Sequence, residues 1–308
     1  LITASSADHL LVAFTTVFFI FAVGFGVQRL RPLSEETLNH LSWLIVNILL
    51  PIFLFYATAT GTSPDELAVA PLLILMGLVI PLVSLVLAVI FGPLARVNQT
   101  QKSAFRHSAM LGNTAFVGIP LCAGLFGATG AVYAVLYDFG TTLIIFTVGI
   151  WILTGGRRAN WRALAVNPLI LFVLAGLAWA WTGWKLPVWF TIPCATLGDA
   201  TLPVALLVAG AQLGNIRSSV GRQWRPVVAL IAIRLVAVPL LVVVVMRLLS
   251  PEPVFASVVV IQSATPVGLT AAIMSRSYGA DAGLASAAIL WSTMAMVVTL
   301  PVLVSLLL

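Results

Sequence analysis

Gly112-Asn113-Thr114-Ala115-Phe116-Val117-Gly118-Ile119-Pro120 and Gln262-Ser263-Ala264-Thr265-Pro266-Val267-Gly268 are the two stretches on which the reading of this chain turns. Each lies inside an apolar segment of membrane length. Each places amides, hydroxyls, glycine and proline where a lipid-facing helix would carry Leu and Val. Backbone at bilayer depth must be hydrogen-bonded, so a broken helix persists there only when buried in protein or lining a cavity. One such break in each half of a chain is the sequence pattern of a binding site at the membrane midplane.

Outward from these stretches the chain is apolar almost throughout. Its 308 residues are 61% hydrophobic and 8% charged, with a mean hydropathy of +1.14. A soluble domain carries about 25% charged residues, and no polar run here is long enough to form one. The net charge of +6 does not point to nucleic acid, because the basic residues sit in short clusters between apolar runs. Cys122 and Cys194 are isolated and give neither a metal spacing nor a disulfide framework. The first apolar run lacks a basic flank and is long enough to span, so it reads as a span and not as a cleavable leader.

A helix needs about 20 apolar residues to cross the hydrocarbon core. That ruler predicts ten all-α spans, over 10–30, 37–59, 67–91, 103–125, 129–153, 167–185, 189–213, 223–249, 254–276 and 282–307. The seventh is interrupted by Pro193 and Asp199. One set of alternate loops holds Arg29, Arg31, Arg96, Lys102, Arg106, Arg157, Arg158, Arg162, Arg217, Arg222, Arg225 and Arg276; the other holds Lys185 and Arg247. The positive-inside rule then places both termini outside the cytoplasm. Trp151, Trp161, Trp181, Trp184, Trp189 and Trp224 fall near span ends as interfacial anchors, whereas Trp43 and Trp291 lie deeper and are expected to pack between helices.

Ten spans divide into halves of five, 1–153 and 167–308, so a repeat between them must be inverted. At an offset of 152, Asn47…Leu50-Pro51-Ile52 meets Asp199…Leu202-Pro203-Val204, Phe126-Gly127-Ala128 meets Tyr278-Gly279-Ala280, and Thr141 meets Thr293. The two broken segments coincide at the same offset.

On these motifs the chain resembles the auxin efflux carrier family and its bacterial relatives for small organic anions. The likeness rests on the ten spans, Asn47…Pro51, Gly112-Asn113…Gly118-Ile119-Pro120, Ala264-Thr265-Pro266-Val267-Gly268, and Tyr278-Gly279 followed by Asp281. The resemblance implies the fold of sodium/proton antiporters and bile-acid symporters, with spans four and nine unwound and crossing at midmembrane. It implies scaffold helices over 10–59 and 167–213 that also form a homodimer interface, and a moving transport domain over 67–153 and 223–307. It implies a carrier in the bacterial inner membrane. The short loop between spans five and six matches bacterial members.

At such a crossing Pro120 suits a first helical turn, and Thr265 ahead of Pro266 suits an N-cap. Helix starts facing each other would bind a carboxylate, with Asn113, Thr114, Gly118, Gln262, Ser263 and Thr265 around it. The alternative is that each proline only kinks its helix. Asn47 and Gln212 suit hydrogen bonds between helices, and Asn47 is also a candidate for the site. Tyr133 and Tyr137 suit packing or the lining of a path. Arg106 and His107 are expected at the cytoplasmic surface. Asp138 and Arg234 lie within spans five and eight at similar depth, where ionisable residues are rare and face the bundle interior or water. They read as a coupling pair, with Arg234 a fixed positive charge and Asp138 its partner or a proton site, or as a structural ion pair. Asp138 falls where the family tends to carry an amide.

The expectation is a secondary transporter of small organic anions, mono- or dicarboxylates of auxin-like or malonate- and malate-like type. It would work by elevator-like alternating access, without sodium and without a cofactor or metal. The alternative is a sodium- or proton-coupled carrier on the same fold. An enzyme is not expected, since HExxH, GxSG and paired intramembrane aspartates are missing.

Overall fold

The computed structural model describes residues 4–61, 64–156, 168–216 and 224–307. The described residues are helical apart from connections and one isolated bridge. In chain order the helices are α1 (Ala4–Leu30), α2 (Glu35–Leu44), α3 (Leu50–Gly61), α4 (Pro64–Phe91), α5 (Lys102–Met110), α6 (Ile119–Ile144), α7 (Ile150–Leu153), α8 (Pro168–Thr182), α9 (Val188–Asn215), α10 (Trp224–Ala232), α11 (Val238–Leu249), α12 (Pro253–Ser263), α13 (Thr270–Ser277) and α14 (Ala282–Leu307). Six helical stretches are long and apolar enough to cross a membrane: Glu35–Thr60, Ala68–Phe91, Thr114–Leu153, Val188–Asn215, Trp224–Leu249 and Ala282–Val304. The seventh expected segment is one helix through Pro193 and Pro203. Arg157, Arg158, Arg162, Arg217 and Arg222, which carry much of the charge asymmetry, lie outside the described residues.

Three of these stretches contain four π-helical turns between them: Ile45–Leu49, Thr114–Gly118, Ile145–Gly149 and Ile233–Ala237. Three of the four end two residues before a proline, namely Pro51, Pro120 and Pro239. Proline cannot donate to the carbonyl four residues back, and its ring collides with that carbonyl. A widened turn relieves the collision while the helix continues. At the loops the caps are conventional. Ser34 Oγ accepts the Thr37 N–H at 3.1 Å ahead of Glu35 and Glu36, and the Glu252 carboxylate accepts the N–H groups of Val254 and Phe255 at 2.8 and 2.7 Å.

Helices pack as two groups. In the first, α1 lies along α9, and α3 along α8 and α9; in the second, α4 lies along α6, α6 along α12, and α14 along α10 and α13. Glycine makes the closest of these contacts. A Cβ on Gly24 would strike the Leu207 backbone and one on Gly210 the Phe21 carbonyl, so α1 and α9 meet backbone to backbone; Gly77 and Gly140 do the same between α4 and α6. Small residues drive helix association where lipid removes the hydrophobic difference between core and surface. The outer face carries Phe19, Leu75, Val86, Leu241 and Val298, all exposed, which is the surface a hydrocarbon solvent covers. Trp43 and Trp291 are on this face, more than half and just under half exposed, and not between helices as expected: each points outward from its helix.

Candidate substrate site

The two motif stretches meet at the centre of the second group. Helix α5 ends at Met110, and the chain runs extended through Leu111–Asn113 before helix resumes at Thr114. Helix α12 ends at Ser263, and helix resumes only at Thr270. The extended pieces lie antiparallel, bridged at Gly112 and Val267. The Asn113 N–H donates to the Pro266 carbonyl at 2.8 Å, and the Gly268 N–H donates to the Leu111 carbonyl at 2.8 Å. The Val267 N–H donates to Ser292 Oγ on α14 at 3.0 Å. These bonds satisfy backbone that no helix serves. Glycine at 112 makes room for its neighbours, because a Cβ there would displace the Arg234 guanidinium and Thr265 Oγ1 from their positions.

The helix starts are not where the prolines suggested. Helix resumes at Thr114, six residues before Pro120, which sits as expected in the first turn of α6, just past the π turn Thr114–Gly118. Pro266 stays extended and Thr265 caps no start. Its hydroxyl donates to the Gln262 carbonyl at 2.8 Å, at the C-terminal end of α12. Thr265 thus belongs to the end of one half-helix, and Thr270 begins the next.

Arg234 serves those C-terminal ends. Its Nη2 donates to the Thr265 carbonyl at 2.8 Å and to Thr265 Oγ1 at 3.1 Å, and its Nη1 donates to the Ala109 carbonyl at 3.5 Å. A guanidinium is suited to the negative end of a helix. No ion pair joins Arg234 to Asp138. The paired reading is therefore corrected: equal depth along two helices does not bring side chains to the same side. The Asp138 carboxylate accepts the Thr114 hydroxyl at 2.5 Å instead.

A cavity of about 370 Å³ opens beside the helix starts. Gly112, Asn113, Thr114, Asp138, Thr141, Thr142, Gly268 and Thr270 give its polar wall. Val46, Leu50 and Leu169 of the first helix group face Ile145, Phe146 and Ile273 of the second across it. The Asn113 side chain is buried and its Nδ2 has no hydrogen-bond partner. The first N–H groups of a helix have no partner within it, so the wall presents donors and a positive dipole end.

The other expected site residues lie apart from the cavity. Gln262 is buried over Gly118 and donates to the Ala134 carbonyl at 3.1 Å. Ser263 donates to the Val260 carbonyl at 2.7 Å, and Pro120 is buried in the first turn of α6. Asn47 bonds back to the Trp43 carbonyl of its own helix at 2.9 Å, from within the π turn, and not across to a neighbour. Gln212 does reach across, to Ser42 Oγ. Tyr133 and Tyr137 are buried in the core. His107 departs from its expected surface place. It is buried against Gly149, with neither ring nitrogen hydrogen-bonded. Sequence reasoning missed Thr141, Thr142 and Thr270 in the wall; a threonine run within an apolar segment was the available signal.

Apolar helices with outward-facing hydrophobic side chains define a multi-pass membrane protein. The comparison with known proteins is specific: the chain matches the family described as membrane transport protein over residues 9–160 and 157–304. It belongs to that family, the auxin-efflux-type transporters that its motifs resemble. It is similar to an uncharacterized transporter of Methanothermobacter thermautotrophicus, with 26% identity over 301 residues covering 93% of this chain and 94% of the relative. It is also similar to an uncharacterized transporter of Methanocaldococcus jannaschii, with 22% identity over 292 residues covering 90% and 92%.

Proposed function

We propose that this membrane transport protein is a secondary carrier of small carboxylates that binds them at the cavity beside Asn113, Thr114 and Thr270. The observation that carries the proposal is a buried amide, Asn113 Nδ2, without a partner at a cavity walled by two helix starts. A carboxylate supplies the acceptor that this amide and the free N–H groups of the helix starts lack.

The wider reading is a ten-span bundle of two inverted five-span repeats, with the interrupted segments crossing at midmembrane. The packing supports it. Pairing α1 with α9 and α3 with α8 is one arrangement seen from each half. Thr201 Oγ1 donates to the Leu49 carbonyl at 3.4 Å, across a separation of 152 residues, and residues equivalent by a pseudo-twofold touch only near its axis. The first helix group is then the scaffold and homodimer face, and the second the body that moves. Every glycine whose Cβ would collide with another helix meets a helix of its own group, which suits two rigid bodies. The cavity runs from Asn113 toward Ile150, Ser277 and Tyr278, the end that the arginine distribution assigns to the cytoplasm of a bacterial inner membrane, with both termini outside. Transport is sodium-independent on this reading, because the Arg234 guanidinium sits on the carbonyl ends where a bound cation would go.

Thermal stabilisation of the purified protein across a panel of mono- and dicarboxylates, amino acids included, tests this with sodium or potassium as the cation. Stabilisation that does not depend on sodium is the expected result. No stabilisation by any carboxylate removes the substrate class, and stabilisation only with sodium favours the cation-coupled carrier.

A further inference from the structure

The carboxylate site has a feature that a simple organic anion would not want. Asp138 lies in the cavity wall, and among the described residues no Lys, Arg or His lines that wall with it. Arg234 is nearby but turned elsewhere: its guanidinium is behind Gly112, with Nη1 and Nη2 bonded to Ala109 and Thr265 and only Nε without a partner. An anion entering the cavity would meet the Asp138 carboxylate with no basic side chain to offset it, and a charge in such a place needs a partner.

We propose that the substrate brings that partner itself, and that the cavity takes a zwitterion: an α-amino acid with an apolar side chain. This rests on the carboxylate reading above and narrows it. Thr114 fixes the geometry. Its backbone begins the helix whose N–H groups face the cavity, and its hydroxyl donates to Asp138 Oδ1. The positive end and the negative group therefore adjoin a single residue. In an α-amino acid the carboxylate and the ammonium adjoin a single carbon. The substrate carboxylate meets the helix starts at Thr114 and Thr270 and the free Asn113 amide; its ammonium meets Asp138. Thr141 and Thr142 of the same wall supply hydroxyl acceptors for the remaining ammonium protons. The side chain is left facing Leu50, Ile145, Phe146 and Leu169, which offer no hydrogen bond and fit a hydrocarbon or an aromatic ring.

A site built to pair with a charged group rejects the analogue that lacks it, because its own group is then left buried and unpaired. Calorimetric titration at neutral pH, on the full chain in lipid nanodiscs, compares leucine with 4-methylpentanoate and 3-methylbutylamine, and tryptophan with indole-3-propionate and tryptamine. The amino acid of each set is expected to bind at least about tenfold more tightly than the deaminated acid. In Asp138→Asn, a near-isosteric change, that preference is expected to shrink to within about threefold through a loss for the amino acid and a gain for the acid. If the variant does not fold, the ligand comparison on the unaltered protein still decides. Equal or tighter binding of the deaminated acids overturns the zwitterion and leaves the carboxylate carrier standing, as does acid binding that strengthens as pH falls, the mark of a proton taken up at Asp138. Binding of the amines alone, or of none of the six compounds, overturns the zwitterion and the carboxylate reading together.

Discussion

On one face of the Gly112–Val267 bridge, the C-terminal ends of α5 and α12 converge on the guanidinium of Arg234. On the other, the helix starts at Thr114 and Thr270 converge on a cavity. The four ends are alike in kind, since each leaves backbone groups without helical partners and a partial charge of about half a unit. They differ in what completes them. The negative ends are closed by a permanent side chain, and the positive ends have only the Asn113 amide and the Thr114–Asp138 pair nearby. A broken helix thus needs a resident charge at one end and can leave the other for a visitor. Stability and binding should therefore separate across the bridge.

The largest effect should come from Arg234→Leu. It strips the Thr265 and Ala109 carbonyls of a buried charged donor, at roughly 1–3 kcal/mol for each group left unsatisfied. Loss of folded yield, or a marked fall in the thermal midpoint with or without ligand, is expected in detergent melting curves. A folded, stable Arg234→Leu that merely fails to bind would reverse the assignment of the two faces. Gly112→Val attacks the same face sterically, since its side chain would occupy the place of the guanidinium, and should fail in the same way.

Asn113→Ala should do the opposite. The Nδ2 it removes has no partner in the folded chain, so the melting curve without ligand should stay close to that of the unaltered protein. Substrate affinity should fall more than about tenfold, the worth of one charge-assisted hydrogen bond. Unchanged binding would move the site away from the helix starts. Single cysteines at Asn160 and Ser219, with Cys122 and Cys194 replaced, should resist a membrane-impermeant thiol reagent in intact cells. Labelling from outside would turn the cavity to the opposite side of the membrane. The smallest effect belongs to Glu35→Gln. It removes the exposed ion pair with Arg276, 3.3 Å long, that joins the two helix groups. The expected change in stability is under about 1 kcal/mol, with any change confined to the salt dependence of transport.

Much of this was legible in the residues. The interruptions at Gly112–Asn113 and Thr265–Val267 could be read because glycine, proline and amides are conspicuous in apolar segments. The extents of α1, α4, α9 and α14 followed from hydropathy. What the sequence withheld was direction around each helix. Where lipid and core are both apolar, a helix has no polar stripe to orient it. Trp43 and Trp291 were therefore placed inside when they face out, and Arg234 and Asp138 were set together when each has another partner. His107 was read as peripheral from the arginine beside it. Pro120 does sit in the first turn of α6, but helix resumes ahead of it at Thr114, and Pro266 begins no helix. Pro51, Pro120 and Pro239 carry a different message, the π turn just before each of them, and that pattern is readable in retrospect.

The glycine seams have a consequence for entropy. Where Gly24 and Gly210 bring α1 onto α9, and Gly77 and Gly140 bring α4 onto α6, the contact is backbone on backbone. No rotamer is frozen to make it, whereas each ordered Leu or Met side chain forfeits up to about 1–2 kcal/mol of conformational freedom. The seams are therefore close-fitting with no side-chain freedom to lose, and their cost lies in the backbone, about 0.5–1 kcal/mol for each helical glycine relative to alanine. Larger side chains with rotamers to exchange, Val46, Leu50 and Leu169 facing Ile145 and Phe146, line the gap between the two groups. A sliding of one group past the other would draw on the rotamers of those side chains.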